Sequence, residues 1–118
     1  GIPVLCENIV SYSDITYITL SLKNKSGVSY DIKDATFVLE SKKRNKRSVM
    51  IEKTIFPEGR HGSLSCPVGE TTKMAYSFKK ITLSKDQVLK VYLYEHGGQR
   101  NLEMTIDTND INKAERSL

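Results

Sequence analysis

Ile15-Thr16-Tyr17-Ile18-Thr19-Leu20-Ser21-Leu22 alternates apolar and polar residues with a period of two. Ile18, Leu20 and Leu22 fall on one face, and Tyr17, Thr19 and Ser21 on the other. A half-buried strand requires this alternation, because successive side chains leave opposite sides of a pleated backbone. Working outward, the same period recovers Ala35, Phe37 and Leu39, then Val49, Ile51 and Ile55, then Met74, Tyr76 and Phe78. It continues through Leu89, Val91 and Leu93 to Leu102, Met104 and Ile106, with Leu5–Tyr12 in front. Some seven strands at this spacing predict an all-β fold, an immunoglobulin-like β-sandwich of antiparallel strands.

Turn chemistry separates the strands. Ser13-Asp14 reads as a short hairpin turn, and Asn24-Lys25-Ser26-Gly27 supplies turn residues after the second strand. His96-Gly97-Gly98-Gln99 predicts a tight hairpin, since Gly-Gly suits the two-residue turns that match strand twist. Pro57 to Gly69 carries five of the chain's ten Gly and Pro residues and reads as a long loop. Ser84-Lys85-Asp86-Gln87 has capping-box spacing, but the β-branched and aromatic residues after it predict a turn leading into a strand. Asp110 to Arg116 is expected to form a short C-terminal helical turn, capped by Asn109 or Asp110. The Cys…Trp…Cys signature of antibody domains is missing.

The chain has 118 residues, the size of a single domain, and no linker or repeat divides residues 1–118. Its composition, 38% hydrophobic and 27% charged, is that of an ordinary globular domain, and no apolar run is long enough to span a membrane. The net charge of +4 permits an acidic partner without demanding one. The chain opens on Gly1 instead of Met, which reads as a processed or excised domain. A disulfide between Cys6 and Cys66 would close a loop of about sixty residues and contribute about 4 kcal/mol in the chain-entropy model. The alternative, two separate thiols acting as small buried hydrophobes, is favoured.

The catalytic inventory is thin. Neither a nucleophile elbow, nor a phosphate loop, nor a zinc-binding histidine pair occurs. His61 lies near Ser63 and Ser65, yet triads are defined by spatial geometry, so a solvated loop histidine is the favoured reading. Cys6, Cys66, His61 and His96 lack the Cys-x-x-Cys nucleus of a zinc site. No enzyme activity, cofactor, metal or small-molecule substrate is therefore expected.

Two features point to surfaces. Lys42, Lys43, Arg44, Lys46 and Arg47 form one dense cationic run between two expected strands. Such a run can meet phosphates or an acidic protein, but it lacks the interleaved aromatics on which bases stack. A solvated hairpin end that deters edge-to-edge aggregation is the favoured reading, and direct nucleic-acid binding is not expected. The six tyrosines, Tyr12, Tyr17, Tyr30, Tyr76, Tyr92 and Tyr94, could form a sugar-stacking platform, with Tyr92 and Tyr94 on one strand face. Half-buried sheet tyrosines explain them equally. Asn24-Lys25-Ser26 matches a glycosylation sequon, although a turn accounts for it.

Four segments together resemble the C-terminal region of the conjugative transposon TraN family of the Bacteroidales. Leu22-Lys23-Asn24-Lys25-Ser26 leading to Ser29-Tyr30-Asp31-Ile32 is similar to that family's first turn and following strand. Phe37 to Arg47 resembles its aromatic strand running into a basic hairpin. Phe78-Lys79-Lys80-Ile81-Thr82-Leu83 with Asp86-Gln87, and Tyr94-Glu95-His96-Gly97-Gly98-Gln99-Arg100, resemble two further segments. The similarity runs from Ile15 to Ala114; the Pro57–Gly69 stretch has no counterpart in it, and His96 replaces the usual Lys-Asn of the last hairpin.

The resemblance implies a non-enzymatic interaction domain of a conjugative DNA-transfer channel, comparable in role to the β-sandwich subunit of VirB-type outer-membrane core complexes. It further implies a periplasmic, outer-membrane-associated location and a place at the C-terminal end of a longer envelope protein. Expected partners are other transfer proteins, an outer-membrane lipoprotein and copies of the same chain. The candidate interaction surface comprises Lys42, Lys43, Arg44, Lys46, Arg47, His61, Tyr92 and Tyr94. The rival expectation is an adhesin-like or glycan-binding sandwich module of the cell surface.

Overall fold

A computed structural model of the chain describes residues 1–42 and 50–109. Val4–Tyr12 (β1) and Ile15–Lys23 (β2) form the first hairpin, closed by Ser13 in the left-handed region at φ 56°. Tyr30–Lys42 (β3) and Met50–Ile55 (β4) follow, then the short Gly59–Gly62 (β5) and Ser65–Cys66 (β6). Thr71–Lys79 (β7), Gln87–Glu95 (β8) and Leu102–Ile106 (β9) complete the chain.

All pairings are antiparallel and build two sheets, ordered β1-β2-β7-β5 and β4-β3-β8-β9, with β6 on the start of β3. In immunoglobulin lettering these are A-B-E-D against C′-C-F-G. The expected immunoglobulin-like sandwich is what the chain forms. Among the described residues nine strands replace the seven expected, and the difference lies in the Pro57–Gly69 stretch. Its residues pair only at sheet edges, β5 with β7 and β6 with β3, which is where a Gly- and Pro-rich segment can still form a ladder. At Gly62, φ is 103° and a Cβ would stand 2.5 Å from the Lys73 carbonyl oxygen, so β5 needs glycine there.

The alternating faces meet in the interior. Across β2 and β7, Ile18 opposes Tyr76 and Leu20 opposes Met74; across β3 and β8, Phe37 opposes Val91 and Leu39 opposes Leu89. Phe37 ties the sheets together, with its ring centroid 5.0 Å from that of Tyr76 and 4.7 Å from that of Phe78, both edge-on. Burying an aromatic of this size stabilises by about 2 kcal/mol or more.

One expectation changes in detail. The β8–β9 connection is not a two-residue turn: the ladder ends at Leu93↔Leu102, and residues 96–101 loop out because Arg100 folds back onto Glu95. Ser84 and Gln87 do form the expected turn into β8, with Gln87 N donating to Ser84 O at 3.0 Å and Ser84 N donating to Gln87 Oε1 at 2.9 Å. The C-terminal helical turn expected at Asp110 to Arg116 lies outside the described residues.

Candidate functional site

The two ends of the sandwich differ. At one end the loop between β2 and β3, strand β6 and the β8–β9 loop are bolted together by polar groups. Asn24 is fully buried, and its Nδ2 donates to the Val28 and Cys66 carbonyls, each at 2.9 Å. Its Oδ1 accepts from Ser26 N at 2.9 Å and Ser26 Oγ at 2.6 Å. Both amide protons are committed inside the fold, so the sequon asparagine is a structural turn residue.

Arg100 completes this end. Its Nε donates to both Glu95 carboxylate oxygens at 3.0 and 3.1 Å, and Nη2 also pairs with that carboxylate. Nη1 donates to Ser26 Oγ at 2.9 Å and Nη2 to Ser29 O at 2.7 Å. The guanidinium carbon sits 5.2 Å from the Tyr30 ring centroid, while Tyr30 OH donates to Arg100 O at 2.7 Å. Arg100 holds the Glu95 carboxyl below its ordinary range through these hydrogen bonds, and burial pushes the Tyr30 hydroxyl up. Gly98 leaves room for this pair: a Cβ there would meet Glu95 Oε1 at 2.0 Å.

The opposite end is open. Phe56-Pro57-Glu58 carries the chain from β4 across to β5, and residues 80–86 carry it from β7 to β8. Between these crossovers lies a cleft of about 700 Å³. It reaches the buried Phe78 and Ile81 and the half-buried Leu39 and Ile55, and is lined also by Lys53, Lys79, Lys80 and Glu58. Phe56, at its edge, is 79% exposed, the most exposed large hydrophobic side chain among the described residues.

The surface residues expected from sequence are spread over the fold. Lys42 ends β3, whereas Lys43, Arg44, Lys46 and Arg47 lie outside the described residues. His61 is exposed on the edge strand β5, opposite Ala75. Ser65 Oγ donates to Asp31 Oδ1 at 2.8 Å and Ser63 Oγ to Ser65 O at 3.1 Å, so these hydroxyls are engaged with partners other than His61.

Tyr92 and Tyr94 do share the outer face of β8, opposite Thr36 and Asp34. The six tyrosines nevertheless form no single platform. Tyr30 and Tyr76 are core residues, and Tyr12 and Tyr17 are exposed on the other sheet. Tyr17, Gly59, His61, Ala75 and Ser77 border a shallow trough of about 410 Å³ there.

Cys6 and Cys66 are not joined in a disulfide. Cys66 is buried, with its Sγ 3.6 Å from Leu22 O and 3.4 Å from Glu70 O, and Cys6 packs against the core from β1. Among the described residues no three His, Cys, Asp or Glu side chains converge as metal ligands. Reading the sequence missed the cleft, because its walls, Lys53 to Glu58 and Phe78 to Thr82, lie twenty or more residues apart in sequence. It also missed the Arg100 network, because beyond nearby Glu95 its partners Ser26 and Ser29 lie in a loop far away in sequence.

Residues 1–116 match the sequence profile of a family described as Domain of unknown function (DUF4138). The chain belongs to this family. No curated protein matches it in sequence. Among solved structures, the DUF4138 domain is similar to Spo0M, the sporulation control protein of Bacillus subtilis, at 15% identity with a TM-score of 0.52. That similarity covers 90% of this chain and 47% of Spo0M, so the domain spans about half that protein's length. At this identity the likeness is one of fold. The archaellum periplasmic stator protein FlaG of Sulfolobus acidocaldarius matches at 10% identity with a TM-score of 0.48, covering 90% of this chain and 100% of that one.

Proposed function

We propose that this DUF4138 domain is a non-catalytic protein-interaction domain of a cell-envelope apparatus for conjugative DNA transfer. The observation that carries the interaction role is the open cleft, a partly apolar recess with Phe56 standing in solvent beside it. A large exposed aromatic beside a concave, partly apolar surface is the usual anatomy of a protein-docking hot spot. The conjugative setting rests on the TraN-like segments. Two of them, Leu22–Ile32 and Tyr94–Arg100, supply the Arg100 network at the closed end, and Phe78–Leu83 supplies one wall of the cleft. The periplasmic, outer-membrane-associated location and the partners, transfer proteins with a lipoprotein among them, belong to the same proposal.

Deleting the gene from its host element and scoring DNA transfer tests this reading. Transfer should fall to background and return with the wild-type gene, and the tagged full-length protein should fractionate with the envelope and retain other transfer proteins. Normal transfer without the gene would sink the conjugative role.

The shallow trough beside Tyr17 favours a second reading, a glycan-binding module, because small side chains there leave a ring-sized floor next to an aromatic face. Glycan-array binding lost in Tyr17→Ala would support that alternative over the first.

A further inference from the structure

Among the described residues, strand β4 is an edge of its sheet, hydrogen-bonded to β3 on one side only. Edges of this kind are usually protected, and an edge left open is a template on which another chain can add a strand. Its described residues Ile51, Glu52, Lys53 and Thr54 are all exposed. Ile51, Lys53 and Ile55 stand opposite Ser41, Leu39 and Phe37, so they share the sheet's inner face with core residues. Even so, Ile51 is 49% exposed. Towards its C-terminal end the strand borders the cleft, whose described lining residues set Lys53 and Lys79 beside one carboxylate, Glu58.

We propose that an acidic, extended segment of a partner protein adds to the β4 edge and seats one bulky apolar side chain in the cleft against Phe56. The proposal deepens the interaction role above by naming the surface and the chemistry of its occupant. Three features select this occupant. The bare edge offers backbone hydrogen bonds to an extended chain, which supply affinity without fixing sequence. The recess beside Phe56, floored by Phe78 and Ile81, takes one large apolar group. The excess of lysine over glutamate selects negative charge on the residues flanking that group and steers their approach. A second copy of this chain is a poor occupant, because a two-fold contact would bring Lys53 and Lys79 face to face with their own copies.

The test pans a phage-displayed library of random linear dodecapeptides on the wild-type chain. Enriched peptides should combine net negative charge with a central aromatic or large aliphatic residue, and synthetic copies should bind with affinity falling as salt rises. Binding should weaken at least tenfold in Phe56→Asp and in the Lys53→Glu, Lys79→Glu double variant. All three positions are exposed, and unchanged far-UV circular dichroism verifies folding. Amide exchange of Ile51–Thr54 should slow when peptide is bound, a readout of strand addition that simple charge attraction would not move.

Failure to enrich acidic peptides, binding indifferent to both variants, or unprotected β4 amides would each overturn the proposal. Peptide binding by the isolated chain is independent of DNA transfer, so this result and the gene-deletion result fail separately.

Discussion

Replacing Asn24 with alanine should cost the domain about 3 kcal/mol. The residue is fully buried and its amide makes four hydrogen bonds, two as donor and two as acceptor. Ser26 and Val28 lie near solvent, so their freed groups can turn to water at a cost of about 0.5 kcal/mol each. The Cys66 carbonyl belongs to a residue 1% exposed, and stranding it costs about 1–3 kcal/mol.

Asn24→Asp sharpens the argument. Aspartate keeps the shape and both accepting bonds, but turns a carboxylate oxygen towards two carbonyl oxygens that now sit 2.9 Å from Nδ2. The near-isosteric change should therefore destabilise at least as much as alanine at pH 7, by about 3–5 kcal/mol. The sign with pH is also fixed. Burial and the facing carbonyls raise the folded-state pKa of that carboxyl above its unfolded value of about 3.9. The penalty is thus smallest below about pH 3.9 and grows as pH rises towards the folded value. Urea unfolding followed by far-UV circular dichroism or tyrosine fluorescence measures it, since the chain has no Trp. A loss below 1 kcal/mol for alanine, or wild-type stability for aspartate at neutral pH, would refute the reasoning.

Two further predictions concern the same architecture. Glu95 has its carboxyl pKa lowered from 4.5 by Arg100, so the stability this pair contributes is present above pH 4.5 and is lost as pH falls through the lower folded value; the gap between wild type and Glu95→Gln in urea midpoint should be open at pH 7 and narrow as pH falls below 4.5, and a pH-independent gap would remove the Arg100 network from this role. In Gly62→Ala, the Cβ 2.5 Å from Lys73 O should release β5 and speed amide exchange across β5 and Met74–Ser77 at least tenfold while β1–β2 amides hold, whereas unchanged exchange would show that β5 tolerates a side chain there.

What the sequence revealed, and what it hid, follows from how local each signal is. The strands at Ile15–Leu22, Met74–Phe78 and Leu89–Leu93 are legible because strict alternation is a nearest-neighbour property. The first half of β3 was not: a bulge between Ile32 and Asp34 shifts the parity, so buried Tyr30 and Ile32 fall out of phase with Phe37. The irregularity between Cys6 and Asn8 does the same in β1, separating Val4 and Cys6 from Ile9. β5 and β6 were hidden because Gly and Pro carry no periodicity, and their pairing is decided by β7 and β3, not by themselves. The cleft is non-local in the same way. Its charge comes from Lys53 and from Lys79–Lys80, which no window of sequence holds together.

The closed end has a mechanical consequence. Arg100, Glu95 and Asn24 join the start of β3 to the ends of β2 and β8, so the sheets cannot separate there without breaking several charge-assisted bonds at once. Near the cleft the sheets meet through apolar contacts such as Phe37 on Phe78 and through the two chain crossovers. Tension applied through the chain should therefore open the sandwich like a book bound along one margin, with the pages parting first beside Phe56.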